Sequence, residues 1–180
     1  MEKTSDYPVG SMVVYGLSGV CRVTAVGPLP QIHPKETDTR YYTLLPLWEK
    51  GTFYVPTAAA ERLRPPMTAG EAAELLERAP AVPAPAAPAC GIQQTEQYYR
   101  GLLKGGSPES WLKLLRSAEA HRQALARRKK RPGSVEERYR RQAERLLCEE
   151  LAAALAISPQ EAEERLAARL TQNLVSQGNA

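Results

Sequence analysis

A proline-rich segment in the middle of the chain limits its possible folds more than any other feature. Four of the nine residues from Pro80 to Pro88 are prolines, and prolines at this density exclude a helix and favour an extended polyproline conformation. Short runs of strand composition precede the segment, and helical periodicity follows it. The sequence therefore predicts an α+β multidomain protein, with a first domain over 1–80, a linker over 81–92, a helical domain over 93–172 and a flexible tail over 173–180.

The first domain contains four short runs that are rich in β-branched and aromatic residues, at 12–15, 19–26, 41–45 and 52–55. Strands this short and this close in sequence favour a sheet that curls on itself, because closure removes unpaired edges. We therefore expect a small SH3-like or Tudor-like β-barrel. A capping-box pattern at Thr68 to Glu71 predicts one short helix that closes the domain.

The second domain is predicted to be all-α. Its first helix covers roughly 94–104, and N-cap patterns at Ser107, Ser134 and Ser158 mark the starts of three more helices. Four helices with mostly short connections predict a compact helical bundle. Trp111 lies on the apolar stripe of its helix, so we expect it in the core.

Positive charge is concentrated in this second domain. Residues 98–145 contain 14 basic and 5 acidic side chains, although the whole chain has a net charge of only +4. The run Arg127–Arg131 ends one predicted helix, and Arg138, Arg140 and Arg141 lie early in the next, where the helix dipole favours acids instead. Contact with phosphate explains both groups of cations, and the alternative is a solvated helix surface.

No sequence pattern indicates an enzyme, a metal site or a cofactor. The three cysteines form no CxxC pair, and His33 and His121 fall in different predicted domains. The sequence has no GxGxxG, Walker or HExxH motif. We therefore expect a binding protein without cofactor or metal. The start of the chain does not resemble a signal peptide and no apolar run is long enough for a membrane span, so we expect a cytoplasmic monomer.

Two strings in the first domain, VGSMVVYGLSGVCRV at 9–23 and YYTLLPLWEKGTFYVP at 41–56, resemble the N-terminal domain of the CarD family, which the transcription-repair coupling factor shares. Residues 62–78 resemble the end of that domain, and the basic bundle is similar to the family's C-terminal domain. The resemblance implies a Tudor-like barrel that docks on the β subunit of bacterial RNA polymerase by strand addition. It also implies a helical domain that contacts promoter DNA at the upstream edge of the bubble and modulates open-complex stability.

The resemblance and the charge pattern together predict which residues meet each partner. The predicted polymerase-binding residues are Arg22, Tyr42, Thr52 and Tyr54. The predicted DNA-binding residues, which would contact the backbone largely independently of sequence, are Tyr98, Arg100, Lys104, Arg127, Arg128, Lys129, Lys130, Arg131, Arg138 and Arg141. Polymerase binding would associate the protein with the nucleoid.

One feature of the family has no counterpart here. The resemblance implies a tryptophan wedge near the start of the helical domain, and residues 90–94 contain no aromatic side chain. The alternative function is an adaptor that binds polymerase or another protein and does not contact DNA.

Overall fold

A computed structural model of the protein describes residues 7–29, 32, 35, 38–86 and 91–172. The chain divides into two compact units, the sheet unit (Met1–Pro66) and the helical unit (Met67–Ala180). The predicted tail over 173–180 lies outside the described residues, as do His33 and Cys90.

The sheet unit contains one antiparallel sheet of five strands in the order β4-β3-β2-β1-β5. The strands are β1 (Met12–Tyr15), β2 (Val20–Gly27), β3 (Tyr41–Pro46), β4 (Phe53–Pro56) and β5 (Leu63–Arg64). The connection between β1 and β2 turns at Gly16 and Gly19, whose positive φ values of 47° and 75° are accessible to glycine at little cost. Val13, Val23, Leu44 and Val55 point inward and form the core with their neighbours.

The sheet places β4 and β5 at its two edges. A closed barrel would require these two strands to pair, and among the described residues β4 pairs only with β3 and β5 only with β1. The predicted β domain is therefore present as an antiparallel sheet, and closure into a barrel is not confirmed.

The helical unit consists of α1 (Ala69–Arg78), α2 (Ile92–Lys104), α3 (Pro108–Arg127), α4 (Ser134–Leu155) and α5 (Pro159–Leu170). The capping box of α1 is confirmed, because Thr68 Oγ1 accepts from the Glu71 amide at 3.2 Å and the Glu71 carboxylate accepts from the Thr68 amide at 2.7 Å. Ser107 and Ser158 cap α3 and α5, as predicted.

The predicted cap at Ser134 is wrong. Gly133 is the N-cap of α4, no side chain caps it, and Ser134 is the first helical residue. Glu137, which a capping box would have used, accepts instead from Arg140 and Arg141. The arginines therefore engage the carboxylate that the cap would have needed.

The core of the helical unit lies between α3, α4 and their neighbours. Trp111 is fully buried, and its indole Nε1–H donates to the Leu103 carbonyl at 3.1 Å. Leu114, Leu146 and Leu151 are also fully buried. The predicted burial of Trp111 is confirmed.

Helix α1 belongs to the helical unit. Ala72 and Leu75 of α1 are buried, and the Met67 amide donates at 2.9 Å to Oε1 of Glu150, a fully buried residue of α4. These contacts place the division between Pro66 and Met67.

The described part of the predicted linker is bound to the bundle. Arg116 of α3 is 4% exposed and donates to the carbonyls of Pro80, Val82 and Leu170 at 2.9, 3.1 and 2.8 Å. Further along, the Pro85 carbonyl accepts from the hydroxyls of Ser117 and Tyr98. Residues 80–85 are therefore part of the helical unit.

Candidate functional sites

The open side of β4 is formed by backbone groups whose direction follows from the strand register. The Thr57 amide donates to the Arg40 carbonyl at 2.9 Å, and hydrogen-bonded pairs alternate along an antiparallel ladder. The pairs Tyr42–Val55 and Leu44–Phe53 are thus hydrogen-bonded. The N–H and C=O of Tyr54 therefore point away from β3, toward the unpaired side of the strand.

The four residues predicted to face the polymerase have different environments. Arg22 on β2 and Thr52 before β4 are exposed, and the Tyr54 side chain is 42% exposed. Tyr42, in contrast, is 2% exposed and belongs to the core of the sheet unit. Its register partners Val26 and Val55 lie on the inner face of the sheet, so its side chain is not available to a partner.

The basic run at the end of α3 is the most accessible group of cations. Arg127, Arg128, Lys129, Lys130 and Arg131 are all exposed, and in the described part of the chain no side chain of these five has a hydrogen bond or an ion pair. The amides of Arg128 and Lys130 donate to the Leu125 carbonyl, which ends the helix. Lys129 has a φ of 55°, a left-handed conformation that costs a non-glycine residue roughly 1–2 kcal/mol.

The arginines of α4 are paired within the helical unit, contrary to the expectation that phosphate alone explains them. Arg138 bonds Glu96 at 3.2 Å, Arg140 bonds Glu137 at 2.8 Å and Arg141 bonds the same Glu137 at 3.1 Å. Their positions early in α4 therefore have an intramolecular explanation. Together with Arg145, however, Arg138 and Arg141 still line a shallow groove of about 620 Å³.

The three predicted DNA-binding residues of α2 also differ in availability. Lys104 is exposed in the last turn. Arg100 forms an ion pair with Glu96 at 2.7 Å. The Tyr98 hydroxyl lies 3.3 Å from the Pro85 carbonyl and 3.1 Å from Ser117 Oγ, so it is already engaged inside the unit.

Comparison with known proteins identifies the sheet unit. Residues 7–67 match the CarD-like/TRCF RID domain, the RNA-polymerase-interacting domain of CarD- and TRCF-type proteins. The chain therefore contains a CarD-like RID domain. No curated protein matches the chain.

The RID match and the structural division agree on where the first module ends. The match stops at residue 67, and the structure separates the units after Pro66. All five strands, including the open edge of β4, lie inside the RID domain. The RID domains of CarD- and TRCF-type proteins are protein-interaction modules that bind the β subunit of RNA polymerase.

The helical unit, outside the RID domain, has none of the features of a metal or membrane site among the residues described. No three His, Cys, Asp or Glu side chains in that part of the chain are grouped as metal ligands. No helix of the same residues is long and apolar enough to cross a bilayer.

Glu137 makes the stability of the helical unit dependent on pH. Hydrogen bonds from Arg140 and then Arg141 lower its pKa from the ordinary 4.5 to about 2. A carboxylate with a lowered pKa stabilises the folded state above its ordinary pKa, and this contribution is lost as the pH falls through the folded value. When the pH is lowered from 4.5 to about 2, the free energy of unfolding should therefore fall less in Glu137→Gln than in the wild type.

Urea unfolding in steps across that pH range measures this effect. Glu164→Gln is the matched control, since Glu164 is exposed on α5 and has no ion pair in the described residues. An identical pH dependence in Glu137→Gln and the wild type would contradict the role of Glu137.

Proposed function

We propose that the protein is a transcription regulator that binds the RNA polymerase β subunit through its RID domain and contacts promoter DNA through its helical unit. The observation that carries the proposal is the RID match over residues 7–67. The DNA contact would lie near the upstream edge of the bubble and modulate open-complex stability. A regulator that binds open promoter DNA more tightly than closed DNA shifts the equilibrium between the closed and the open promoter complex by that difference in affinity.

The edge of β4 is the proposed site of docking on the β subunit. A strand whose N–H and C=O groups face solvent can pair with a strand of another protein, and Tyr54 presents both groups on the unpaired side of β4. Alternate residues of β4 direct their backbone groups away from β3, and the next one after Tyr54 is Pro56, which has no N–H. Tyr54 is therefore the residue of β4 that can donate a backbone hydrogen bond on the unpaired side. Strand addition requires an open edge, and the sheet order provides one.

Replacing Tyr54 with proline tests this docking directly. The outward amide disappears while the ladder to β3 keeps its hydrogen bonds. We expect Tyr54→Pro to weaken binding to core polymerase about tenfold or more, since each backbone bond that is removed contributes about 0.5–1.5 kcal/mol and the ring also obstructs the incoming strand. Tyr54→Ala, which keeps the amide, should weaken binding less. Equal affinity of Tyr54→Pro and the wild type in titrations with labelled polymerase would refute docking at this edge.

The basic run Arg127–Arg131 is the proposed main DNA contact. Its side chains have no partner in the described residues, whereas Arg138, Arg140 and Arg141 are engaged with carboxylates. A cationic side chain also occupies a left-handed position, at Lys129, where glycine is the usual residue. Contacts of this type bind phosphate and carry no base specificity. Arg138 and Arg141 could join only by exchanging their carboxylate partners for phosphate.

Neutralising part of the run should weaken DNA binding without affecting polymerase binding. We expect the triple variant Arg128→Gln, Lys130→Gln and Arg131→Gln to bind unrelated DNA sequences more weakly by a similar factor. The slope of the logarithm of its DNA-binding constant against the logarithm of the salt concentration should be shallower by about 0.9 for each phosphate that the variant no longer neutralises. Fluorescence anisotropy at several salt concentrations measures both quantities.

The matched control makes the same change in net charge elsewhere on the helical unit, at Arg78, Arg165 and Arg169, all replaced by glutamine. All three are exposed or partly exposed residues of α1 and α5. An unchanged affinity and slope in the first triple variant would instead support an adaptor that binds polymerase without DNA. In that case the run would serve only as favourable charge at the end of α3.

A further inference from the structure

Exposed apolar side chains are concentrated in the RID domain. Of the eight large hydrophobic side chains that are exposed among the described residues, seven belong to the sheet unit and one, Ile92, to the helical unit. A contiguous apolar patch on a surface marks a contact with a partner.

Strand register places part of this surface on the outer face of the sheet. Met12 pairs with Arg22, and Arg22 pairs with Leu45, so the three side chains form a row across β1, β2 and β3. Met12 is 36% exposed and Leu45 is 44% exposed. The opposite face carries the core, with Val13, Cys21 and Leu44 fully buried.

Arg22 lies at the centre of that row. It is exposed, and in the described part of the chain it has no ion pair and no side-chain hydrogen bond. A cation between two apolar side chains forms its strongest ion pair with an acidic group that has apolar neighbours of its own. Contact between the apolar side chains excludes water and lowers the dielectric around the ion pair.

The face is continuous with the edge of β4. Tyr54 pairs with Thr43, which lies two residues before Leu45 on the same side of β3. A partner strand added to β4 would extend the sheet beside Tyr54, and the rest of that partner would lie next to Leu45 and Arg22. The partner that occupies the edge is thus the one positioned to cover the face.

We propose that the outer sheet face formed by Met12, Arg22, Leu45 and Tyr54 is a second contact with the polymerase β subunit, and that it receives an acidic side chain flanked by apolar ones. This inference rests on the proposed docking of the RID domain. The edge supplies backbone pairing, and the face supplies side-chain recognition through Arg22. The face thus distinguishes the correct partner from other proteins with a free strand.

Two variants of the full chain test the face separately from the edge. Arg22→Glu should reduce the affinity for core polymerase about tenfold or more, since like charges would meet across the contact. The double variant Met12→Ser with Leu45→Ser should weaken binding by a similar factor, about 1.4 kcal/mol. Ile92→Ser is the control, because it removes an exposed apolar side chain outside the RID domain and should bind as the wild type does. Thermal unfolding establishes that each variant is folded.

Salt dependence gives an independent measurement that does not need a destabilising change. Arg22→Gln should show a shallower decline in affinity with salt than the wild type, because it cannot form the ion pair. The inference is overturned if Arg22→Glu and the double variant bind as tightly as the wild type while Tyr54→Pro does not. Docking on polymerase stands in that case. If the wild type itself fails to bind core polymerase, both the proposed function and this inference fail.

Discussion

Replacement of Trp111 with alanine is expected to destabilise the helical unit by about 3–5 kcal/mol, the range for large aromatic residues removed from a core. The indole is fully buried, and its N–H satisfies the Leu103 carbonyl at the end of α2. Alanine would leave a cavity between α2 and α3 and remove that hydrogen bond. Urea unfolding followed by helical circular dichroism measures the decrease in stability.

Trp48 provides a matched control, because it is 39% exposed in the RID domain. Trp48→Ala should change the unfolding free energy of the helical unit little. A fully stable Trp111→Ala protein that had no effect on promoters would mean that Trp111 contacts DNA, and its assignment to the core would be wrong.

Replacement of Arg116 with methionine is expected to destabilise the helical unit by about 2–4 kcal/mol. Three carbonyls, those of Pro80, Val82 and Leu170, would be without their donor while the chain around them stays buried. Relief from burying a charge offsets part of this destabilisation. Because the first two carbonyls follow α1 directly, we also expect residues 80–85 to become more susceptible to proteolysis.

Lys113→Met is the control for Arg116, since it removes a cation from an exposed position on the same helix. Stability and protease resistance of Arg116→Met equal to those of the wild type would show that the three hydrogen bonds do not hold the segment.

Local sequence rules predicted the elements better than the contacts between them. The caps of α1, α3 and α5 follow from a few adjacent residues, and all three formed as expected. The cap at Ser134 failed because Glu137 has a stronger interaction with two arginines. That competition was visible in the sequence as spacings of three and four residues between Glu137 and the two arginines.

Other features depend on contacts that sequence spacing does not contain. The pairing of Arg138 with Glu96 joins α4 to α2 across 42 positions. Arg116 contributes to the basic composition of the domain, yet it is buried against backbone carbonyls and adds nothing to the surface. The proline-rich segment has the composition of a linker, but three carbonyls in it find donors on α2 and α3. The composition predicted an extended conformation from Pro80 onward, but Pro80 and Ala81 belong to a 3-10 helix, Ala79–Ala81. Composition also does not predict where the segment lies.

The family resemblance was confirmed for the RID domain, whereas the polymerase-binding and DNA-binding residues stay predictions. The strings at 9–23 and 41–56 both lie inside the RID match over residues 7–67. The resemblance did not indicate which side chains of β3 face the core, and the structure buries both Tyr41 and Tyr42. Met12 and Leu45 were not predicted as surface residues, since only the pairing of β1, β2 and β3 places them on either side of Arg22.

The half-life of open promoter complexes under competitor challenge tests most directly whether one chain links polymerase to DNA. We expect the wild-type protein to change this half-life, and both Tyr54→Pro and the triple variant Arg128→Gln, Lys130→Gln and Arg131→Gln to have no such effect. Each variant keeps one of the two binding activities, so a mixture of the two should remain inactive. An unchanged effect of either variant alone, or restoration of the effect by the mixture, would contradict a single chain that bridges polymerase and promoter DNA.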